Sequence, residues 1–141
     1  MNFEIRKYHD SDLRDLVDLM AQLGYQHTEQ SLSENIGAVR ERGGEIFVAD
    51  SRGKVYGCIC AILDIRLAAG INGEIVSLVV DRSARGMGVG KGLVAKAESW
   101  LRQRTNRLRV RANSVRTEAH DFYKGLGYSF SKTQSVFTKN V

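Results

Sequence analysis

The stretch EIVSLVVDRSARGMGVGKGLVAKAESWLRQR, residues 74–104, decides the fold of this chain. An apolar run at residues 74–80 is followed by Arg85, by glycines at positions 86, 88 and 90, and then by apolar residues at helical spacing. This order predicts a strand that passes through a glycine-rich turn into a helix, which begins near Gly88 and ends near Arg104. Glycines in such a turn let backbone N–H groups approach a ligand closely, because no side chain blocks the way.

Apolar periodicity on both sides of this stretch predicts eleven elements in the order β α α β β β α β α β β. The first helix is expected between a cap at Asp10 or Ser11 and a stop at Gly24, and the second is ended by Gly43 and Gly44. The other predicted strands cover residues 2–8, 45–50, 55–65 and 107–113 and two segments within 128–139, and the other helices cover residues 29–42 and 116–127. Antiparallel hairpins followed by one βαβ unit predict a mixed α/β sheet.

Length and composition predict one domain over residues 1–141, since 141 residues suffice for one core. Hydrophobic residues make up 43% and charged residues 26%, as in soluble globular domains. The charged N-terminal segment and the lack of a long apolar run argue against a signal peptide or a membrane span, so a cytoplasmic location is expected. The net charge of +5 predicts an anionic partner, whether nucleic acid, a phosphorylated small molecule or an acidic surface.

The two cysteines, Cys58 and Cys60, lie two positions apart in a strand-like run. Their side chains are expected on one face of the strand, where a disulfide between them would be strained. No further Cys and no nearby His completes a zinc site, so no metal is expected. Both residues are predicted to be small buried hydrophobic residues in a reducing compartment.

Two common phosphate-binding motifs fail at the glycine-rich turn. A P-loop needs Gly at position 85 and Ser or Thr at position 92, where Arg85 and Gly92 stand, so the hydroxyl ligand of magnesium is missing and nucleotide hydrolysis is not expected. A Rossmann fingerprint needs glycine at position 91 or 93, where Lys91 and Leu93 stand, and the chain is too short for a dinucleotide domain and a substrate domain.

A third motif, Arg-x-x-Gly-x-Gly/Ala, is matched by Arg85, Gly88 and Gly90. We call residues 85–91 the glycine cradle, because the N–H groups of 86–91 are expected to converge there on an anion. The positive end of the following helix would add unpaired donors, and Arg85 and Lys91 would add charge. The alternative is a turn that only packs a helix closely on a sheet, for which any single glycine would suffice.

Two motifs in this order resemble those of the GNAT superfamily of acetyl-CoA-dependent N-acetyltransferases. LVVDRSARGMGVGKGLV, residues 78–94, is similar to the central motif of that family, and NSVRTEAHDFYKGLGY, residues 113–128, to the motif that follows it. The resemblance implies a three-layer fold of the order β1-α1-α2-β2-β3-β4-α3-β5-α4-β6-β7, with a mixed sheet that parts between strands 74–80 and 107–113. In this family the gap receives the pantetheine arm of the cofactor, which pairs with a strand through its amides.

The resemblance also implies acetyl-CoA as cosubstrate and a set of residues that contact it. That set is Leu78, Val79, Val80, Arg85, Gly86, Met87, Gly88, Val89, Gly90, Lys91, Asn113 and Tyr123. Tyr123 stands where many members carry the acid that protonates the leaving thiolate, and Glu74 where some carry the base. Other members place a carboxylate where Ser77 stands here, so the base is either Glu74, acting through water, or no protein residue. The alternatives are a solvated carboxylate for Glu74 and a packed aromatic ring for Tyr123.

Three arginines, Arg107, Arg109 and Arg111, alternate along a predicted strand and share one face. Either that face is open and they are solvated, which is favoured, or they hold an anionic acceptor. His27 lies in the loop where the resemblance places part of the acceptor pocket, and His120 lies three residues before Tyr123; a surface position is favoured for both.

The expected function is direct transfer of an acetyl group to the primary amine of a small molecule. Similarity of the C-terminal segments to aminoalkylphosphonate acetyltransferases favours that kind of amine, and a phosphonate would give the three arginines a purpose. Acetylation of lysine or of an N-terminus in a peptide or protein is the alternative. A non-catalytic CoA-binding module and a nucleic-acid binder are less favoured, the latter because aromatic residues do not interleave the basic ones. No membrane partner is expected, and a homodimer is left open.

Overall fold

The computed structural model describes residues 1–112, 114–115 and 117–141. The chain forms two compact units, Met1–Val110 and Arg111–Val141. Asn113 and Arg116 lie outside the described residues. Asn113 is one of the residues predicted to contact the cofactor.

Five strands in the first unit form one mixed sheet whose spatial order equals their order in the chain. They are β1 (Glu4–Lys7), β2 (Glu45–Ser51), β3 (Lys54–Arg66), β4 (Gly70–Val80) and β5 (Leu108–Val110). Strands β1 to β4 pair antiparallel, and β5 pairs parallel to β4. The mixed α/β sheet predicted from the sequence is confirmed.

Three helices cover the sheet of the first unit: α1 (Leu13–Leu23), α2 (Glu29–Glu41) and α3 (Val89–Arg102). Leu16, Leu19 and Met20 of α1 and Leu32 and Ile36 of α2 pack with strand residues that include Val48, Cys58 and Cys60. Burying such side chains contributes roughly 1.5–3 kcal/mol each.

Both cysteines are buried and free, as predicted, and burial raises the pKa of each thiol to about 12.

Helix α3 packs closely on the sheet where β4 begins. A Cβ added to Gly73 would lie 3.0 Å from a methyl carbon of Leu101 and 3.1 Å from one of Leu108. Leu93, Ala97 and Leu101 of this helix are fully buried. Glycine at position 73 therefore lets α3 and β5 approach the same point of β4.

Strand β4 continues beyond its pairing with β5. The paired residues are Gly73 with Leu108, Glu74 with Arg109 and Ile75 with Val110. Among the described strands, residues 76–80 are bonded on one side only, to β3. A length of β4 with one open side therefore lies next to the expected parting of the sheet.

A β-bulge interrupts β4 within this length. The register shifts between Cys58 and Cys60 of β3, so that Ile59 faces two residues, Ser77 and Leu78. Ser77 has a φ of 55°, in the left-handed region that non-glycine residues rarely adopt. The bulge rotates the strand just before the glycine cradle, at the position where the resemblance led us to expect a carboxylate.

Several predicted boundaries were wrong for identifiable physical reasons. The cap of α1 is Asp12 and not Asp10 or Ser11, because Asp10–Asp12 form a separate 3-10 turn. The predicted loop at residues 66–73 is shorter, because Gly70 already pairs with Arg66 across the hairpin. Strand β5 covers only three of the residues predicted at 107–113.

The second unit contains α4 (Thr117–Gly125) and, within residues 117–141, no strand. The prediction of two final strands in residues 128–139 was therefore wrong, and the structure has five strands rather than seven. Alternation of apolar residues indicates which face a strand would bury, but a strand also needs a hydrogen-bonded neighbour. Phe130 and Phe137 are instead 70% and 93% exposed.

Candidate active site

The glycine cradle lies between the end of β4 and the first turn of α3. Gly86 has a φ of 78° and Gly88 a φ of 80°, and α3 begins at Val89. A Cβ added at either glycine would meet no protein atom within 4 Å, so the space in front of the backbone is open. Glycine is needed there for its backbone angle, since an L side chain is strained at such values of φ.

The N–H groups of the glycine cradle point to no acceptor in the described part of the chain. The first hydrogen bond of α3 runs from the N–H of Gly92 to the oxygen of Gly88, at 3.0 Å. The N–H groups of residues 86–91 precede it and have no protein acceptor among the described residues. Six donors thus lie in the loop before a 14-residue helix and in its first turn, at the positive end of that helix, an arrangement that favours an anion.

Two basic side chains flank these donors, and both are exposed. Arg85 donates from Nε to the main-chain oxygen of Val80 at 3.2 Å, which holds its guanidinium near the end of β4. Lys91 lies in the first turn of α3. The cradle therefore combines backbone donors with two positive charges.

Asp81 fixes the segment that leads into the glycine cradle. It caps the 3-10 turn Arg82–Ala84 by accepting from the N–H and the hydroxyl of Ser83, and its own N–H donates to the oxygen of Tyr56 at 2.7 Å. Gln22 of α1 donates to Oδ1 of Asp81 at 2.7 Å. The hydrogen bonds from Ser83 and then Gln22 lower the pKa of Asp81 to about 2.

Asp81 and Gln22 were not among the residues predicted from the sequence. An Asp two residues before a Ser, after a strand, is typical of a capped turn, and that signal was available for Asp81. Gln22 carries no comparable signal, since it lies 59 positions from its partner in an ordinary helix.

The residues expected to receive the pantetheine arm occupy the end of β4. Val79 is buried in the core, whereas Leu78 and Val80 on either side of it are half-buried. On the open side of β4, the backbone N–H and C=O groups of these residues, rather than their side chains, are left unpaired by the described strands.

Glu74 is buried and paired with a cation. Its Oε1 accepts from Nε of Arg109 at 2.8 Å, and only 8% of the residue is exposed. Arg109 also donates through Nη2 to Oδ2 of Asp64, and Asp64 accepts from Nε of Arg66 at 2.8 Å. We call these four residues the Arg109 cluster. The alternative interpretation of Glu74 as a solvated carboxylate was wrong.

The hydrogen bonds of the Arg109 cluster shift the pKa values of Arg109 and Asp64 in the directions that favour their charged forms. The hydrogen bond to Glu74, and then that to Asp64, raise the pKa of Arg109 against the opposing effect of burial. Burial of Asp64 raises its pKa, but the hydrogen bond from Arg109 and the charges of Arg66 and Arg109 outweigh it and lower the pKa. Asp64 carries no local signal of this role, because its partner lies 45 positions away on another strand.

The favoured interpretation of the three arginines as an open, solvated face was wrong for Arg109. Parallel pairing places Arg109 beside Glu74, and the two charges neutralise each other. Arg107 is exposed and lies just before β5, and Arg111 is exposed in the second unit.

The two histidines of interest are half-buried. His27, before α2, has Nδ1 3.0 Å from the hydroxyl oxygen of Ser31. Ser31 also accepts from the N–H of Thr28 at 3.0 Å, so His27 borders the cap of α2. His120 lies in α4 of the second unit. The surface position favoured for both histidines was therefore only partly right.

Tyr123 is half-buried in α4 of the second unit. Its ring contacts Phe122 and Tyr128 edge-to-face, with ring centroids 5.1 Å and 5.8 Å away. Burial raises the pKa of its hydroxyl, so the group holds its proton above the usual range. A tyrosine in this state can donate a proton at neutral pH.

The chain is similar to known acetyltransferases in sequence and in structure. An uncharacterized N-acetyltransferase of Chlorobaculum tepidum is 36% identical over 107 residues, which are 74% of this chain and 63% of the relative's length. Glucosamine-6-phosphate N-acetyltransferase from Arabidopsis thaliana superposes with a TM-score of 0.86 at 23% identity, over 99% of this chain and 100% of the other. AAC(6')-Iy, solved with the bisubstrate analog CoA-S-monomethyl-acetylneamine, superposes with a TM-score of 0.85 at 18% identity, over the whole of both chains.

No helix in the described ranges is both long and apolar enough to cross a bilayer. The model of the acetyltransferase (GNAT) family matches residues 10–128, from the 3-10 turn before α1 to just beyond α4. The chain therefore belongs to the acetyltransferase (GNAT) family, whose members are acyltransferase enzymes that use acetyl-CoA.

Proposed function

We propose that this chain is an acetyl-CoA-dependent N-acetyltransferase that transfers an acetyl group directly to the primary amine of a small molecule. The observation that carries the proposal is the glycine cradle. Six N–H groups have no protein acceptor in the described chain, and Gly86 and Gly88 among them border open space, directly after a strand with one open side. The chain belongs to the GNAT family, which uses acetyl-CoA, and the cradle would bind the anionic part of that cosubstrate.

The cradle fits the diphosphate of coenzyme A by charge and by shape. The N–H groups of residues 86–91 would bind its oxygens, and Arg85 and Lys91 would neutralise its charge. Glycine at positions 86 and 88 keeps Cβ atoms out of that space. Leu78, Val79 and Val80 would then lie along the pantetheine arm. Asn113 would add a side-chain contact from outside the described residues.

Proton transfers are assigned to two side chains. When bound, acetyl-CoA supplies the acetyl group as a thioester, which the neutral acceptor amine attacks. Glu74 would take the proton of the amine, directly or through water, and Tyr123 would give a proton to the departing thiolate. The Tyr123 hydroxyl carries its proton at neutral pH, since burial raises its pKa above the ordinary 10.0, and that protonated state is the one this role requires.

A small-molecule amine is the acceptor class that we favour. One of the two superposed structures is named for glucosamine 6-phosphate, a small amine, and the other was solved with the bisubstrate analog CoA-S-monomethyl-acetylneamine. Within this class, an aminoalkylphosphonate is the narrower hypothesis from the sequence, and none of the three compared proteins is named for it. The pairing of Arg109 with Glu74 and Asp64 weakens that hypothesis, because one of the three arginines is already neutralised.

A thiol-release screen tests the proposed function. Purified protein and acetyl-CoA are mixed with aminophosphonates, polyamines, aminoglycosides or lysine peptides, and free thiol is followed with a chromogenic disulfide. We expect turnover with at least one small amine. The Gly88→Glu variant, which places bulk and negative charge in the cradle, should give only the background rate.

The competing functions give different results in the same set of assays. Turnover with lysine peptides alone would favour a peptide or protein acetyltransferase. Stabilisation by acetyl-CoA in a thermal shift, without thiol release with any amine, would indicate a non-catalytic module. Stabilisation by an oligonucleotide but not by acetyl-CoA would indicate a nucleic-acid binder and would refute the proposal.

A further inference from the structure

We propose that Arg109 and Asp64 form a positioning pair that acts through Glu74, an inference that rests on the proposed function. Arg109 holds Oε1 of Glu74 at 2.8 Å with Nε and contacts Asp64 with Nη2. One planar guanidinium thus bridges two carboxylates and fixes the plane of the group that would take the proton of the amine.

The register of three strands creates this arrangement. Glu74 of β4 is the direct partner of Arg109 in β5 and of Ile62 in β3. Directly paired residues share a face of the sheet, and Asp64 lies two positions from Ile62 and therefore on that face too. Ile62 packs against the core of α1 and α2, which places the Arg109 cluster on the side of the sheet that these helices cover. The cluster is thus a product of the fold and not of a flexible surface encounter.

Burial gives the arrangement its rigidity. The side chains of Glu74, Asp64 and Arg109 are 10%, 23% and 28% exposed, so water screens their attraction less than on the surface. A fork-shaped guanidinium restrains the direction of a carboxylate, which a single ammonium group does less well. The ion pair of Arg102 with Glu98 at 3.5 Å has an arginine side chain that is 65% exposed, and Arg102 serves as the control position.

The location of Glu74 explains why its orientation matters. Glu74 is the second of three β4 residues paired with β5, and the length of β4 with one open side begins at residue 76. A base at the edge of that opening must point its lone pair at the incoming amine, and a misplacement of about 1 Å can cost roughly a hundredfold in rate. Arg109 on β5 bonds Glu74, and Asp64 on β3 bonds Arg109, so both neighbouring strands contribute to the position of Glu74.

A double-mutant cycle tests the inference. The variants are Arg109→Met, Glu74→Gln, the pair of both, Arg109→Lys, Asp64→Asn and the control Arg102→Met, each checked for folding by circular dichroism. We expect Arg109→Met to lower kcat about tenfold or more with an unchanged KM for acetyl-CoA, and Glu74→Gln to lower it roughly a hundredfold. In the Glu74→Gln background, Arg109→Met should change kcat by less than about threefold, because the group it positions is gone.

Two variants keep the test decisive when Arg109→Met does not fold. Arg109→Lys keeps the charge but not the fork and should have an intermediate kcat, and the double variant removes both charges of the buried pair. Asp64→Asn should lower kcat several-fold, because Arg109 then loses one of the two carboxylates to which it is hydrogen-bonded. Arg102→Met should keep the kcat of the unmodified protein.

The outcomes separate this inference from the proposed function. Equal loss of kcat from Arg109→Met in both backgrounds would show that the residue acts on stability and not through Glu74, and would overturn the inference. Glu74→Gln with unchanged kcat would overturn it as well. If the unmodified protein transferred acetyl groups to no amine, the proposed function itself would fail.

Discussion

Gln22 and Asp81 join α1 to the segment in front of the glycine cradle by a hydrogen bond of 2.7 Å. Gln22 also accepts at Oε1 from the N–H of Arg82, at 3.2 Å. The single amide of Gln22 therefore bonds both the side chain and the backbone of this segment. Neither residue belongs to the set expected to contact the cofactor, yet together they hold the cradle at the end of β4.

Gln22→Ala should weaken acetyl-CoA binding without removing a cofactor contact. Loss of two hydrogen bonds leaves Asp81 and the N–H of Arg82 less restrained, and about 1 kcal/mol of positioning free energy corresponds to roughly a fivefold rise in Kd. Isothermal titration calorimetry with acetyl-CoA measures this change. Gln30→Ala, which removes a hydrogen bond of 3.2 Å to Glu34 on the exposed face of α2, is the matched control and should leave Kd unchanged. An unchanged Kd in Gln22→Ala would show that the segment needs no support from α1.

Asp81 should make the stability of the protein depend on pH in a defined window. Its pKa is about 2 in the folded chain against an ordinary value of 3.8. A folded-state pKa below the unfolded one contributes stability that is present above about pH 4 and is lost as the pH falls through about 2. Asp81→Ala, which also removes the cap, should lower Tm by about 4 °C at pH 7, as expected for roughly 1 kcal/mol.

The difference in Tm between the unmodified protein and Asp81→Ala should therefore shrink between pH 4 and pH 2. Asp81→Asn keeps a cap acceptor that does not titrate, so the difference between Asp81→Asn and Asp81→Ala should stay constant over the same range. Differential scanning calorimetry at pH 7, 4, 3 and 2 measures both differences. A constant difference between the unmodified protein and Asp81→Ala would contradict the assignment.

Gly88→Ala should separate the role of the backbone angle from that of the open space. A side chain at a φ of 80° is strained by about 1–2 kcal/mol, and the new Cβ would also enter the space in front of the donors. Gly43 follows α2 with a φ of 83°, and a Cβ there would also meet nothing within 4 Å, so Gly43→Ala carries the same strain away from the cradle. Both variants should lose similar stability in urea unfolding.

Only Gly88→Ala should raise the Kd for acetyl-CoA, by about tenfold or more, which corresponds to at least about 1.4 kcal/mol. Equilibrium dialysis or calorimetry measures this. If both variants changed Kd equally, the effect would reflect stability and the cradle would not be the binding site.

The sequence predicted the parts of the fold that local signals decide. The apolar run and the glycines at positions 86 and 88 were enough to place the strand, the turn and the start of α3, because a positive φ at two glycines is a local property. Gly24 and Gly43 likewise marked the ends of two helices. The family resemblance agreed with these signals.

Features that depend on pairing between distant strands were not predictable from the sequence alone. The partner of Glu74 lies 35 positions away, and only the parallel register of β4 and β5 brings Arg109 beside it. The bulge at Ser77 depends on the register with β3. In residues 128–139 the alternation of apolar residues predicted two strands, but the described chain forms none there. Local periodicity predicts the type of an element more reliably than its partner.

Tyr123→Phe should lower kcat while leaving acetyl-CoA affinity intact. The variant removes the hydroxyl proposed to protonate the leaving thiolate but keeps the ring that contacts Phe122 and Tyr128, so packing in the second unit is preserved. Loss of a general acid costs roughly a hundredfold in rate. Steady-state thiol release gives kcat, and calorimetry gives Kd for acetyl-CoA.

The pH dependence of this variant adds a second readout. Burial raises the pKa of the Tyr123 hydroxyl above its ordinary value of 10.0, so the unmodified protein keeps this proton through pH 9 and should show no loss of kcat from this group below that pH. The ratio of the two kcat values should accordingly stay constant from pH 7 to pH 9. Tyr56→Phe removes a hydroxyl from a ring that packs on Phe3 and should leave kcat unchanged. A Tyr123→Phe variant with the turnover of the unmodified protein would exclude Tyr123 as the acid and assign that proton to solvent.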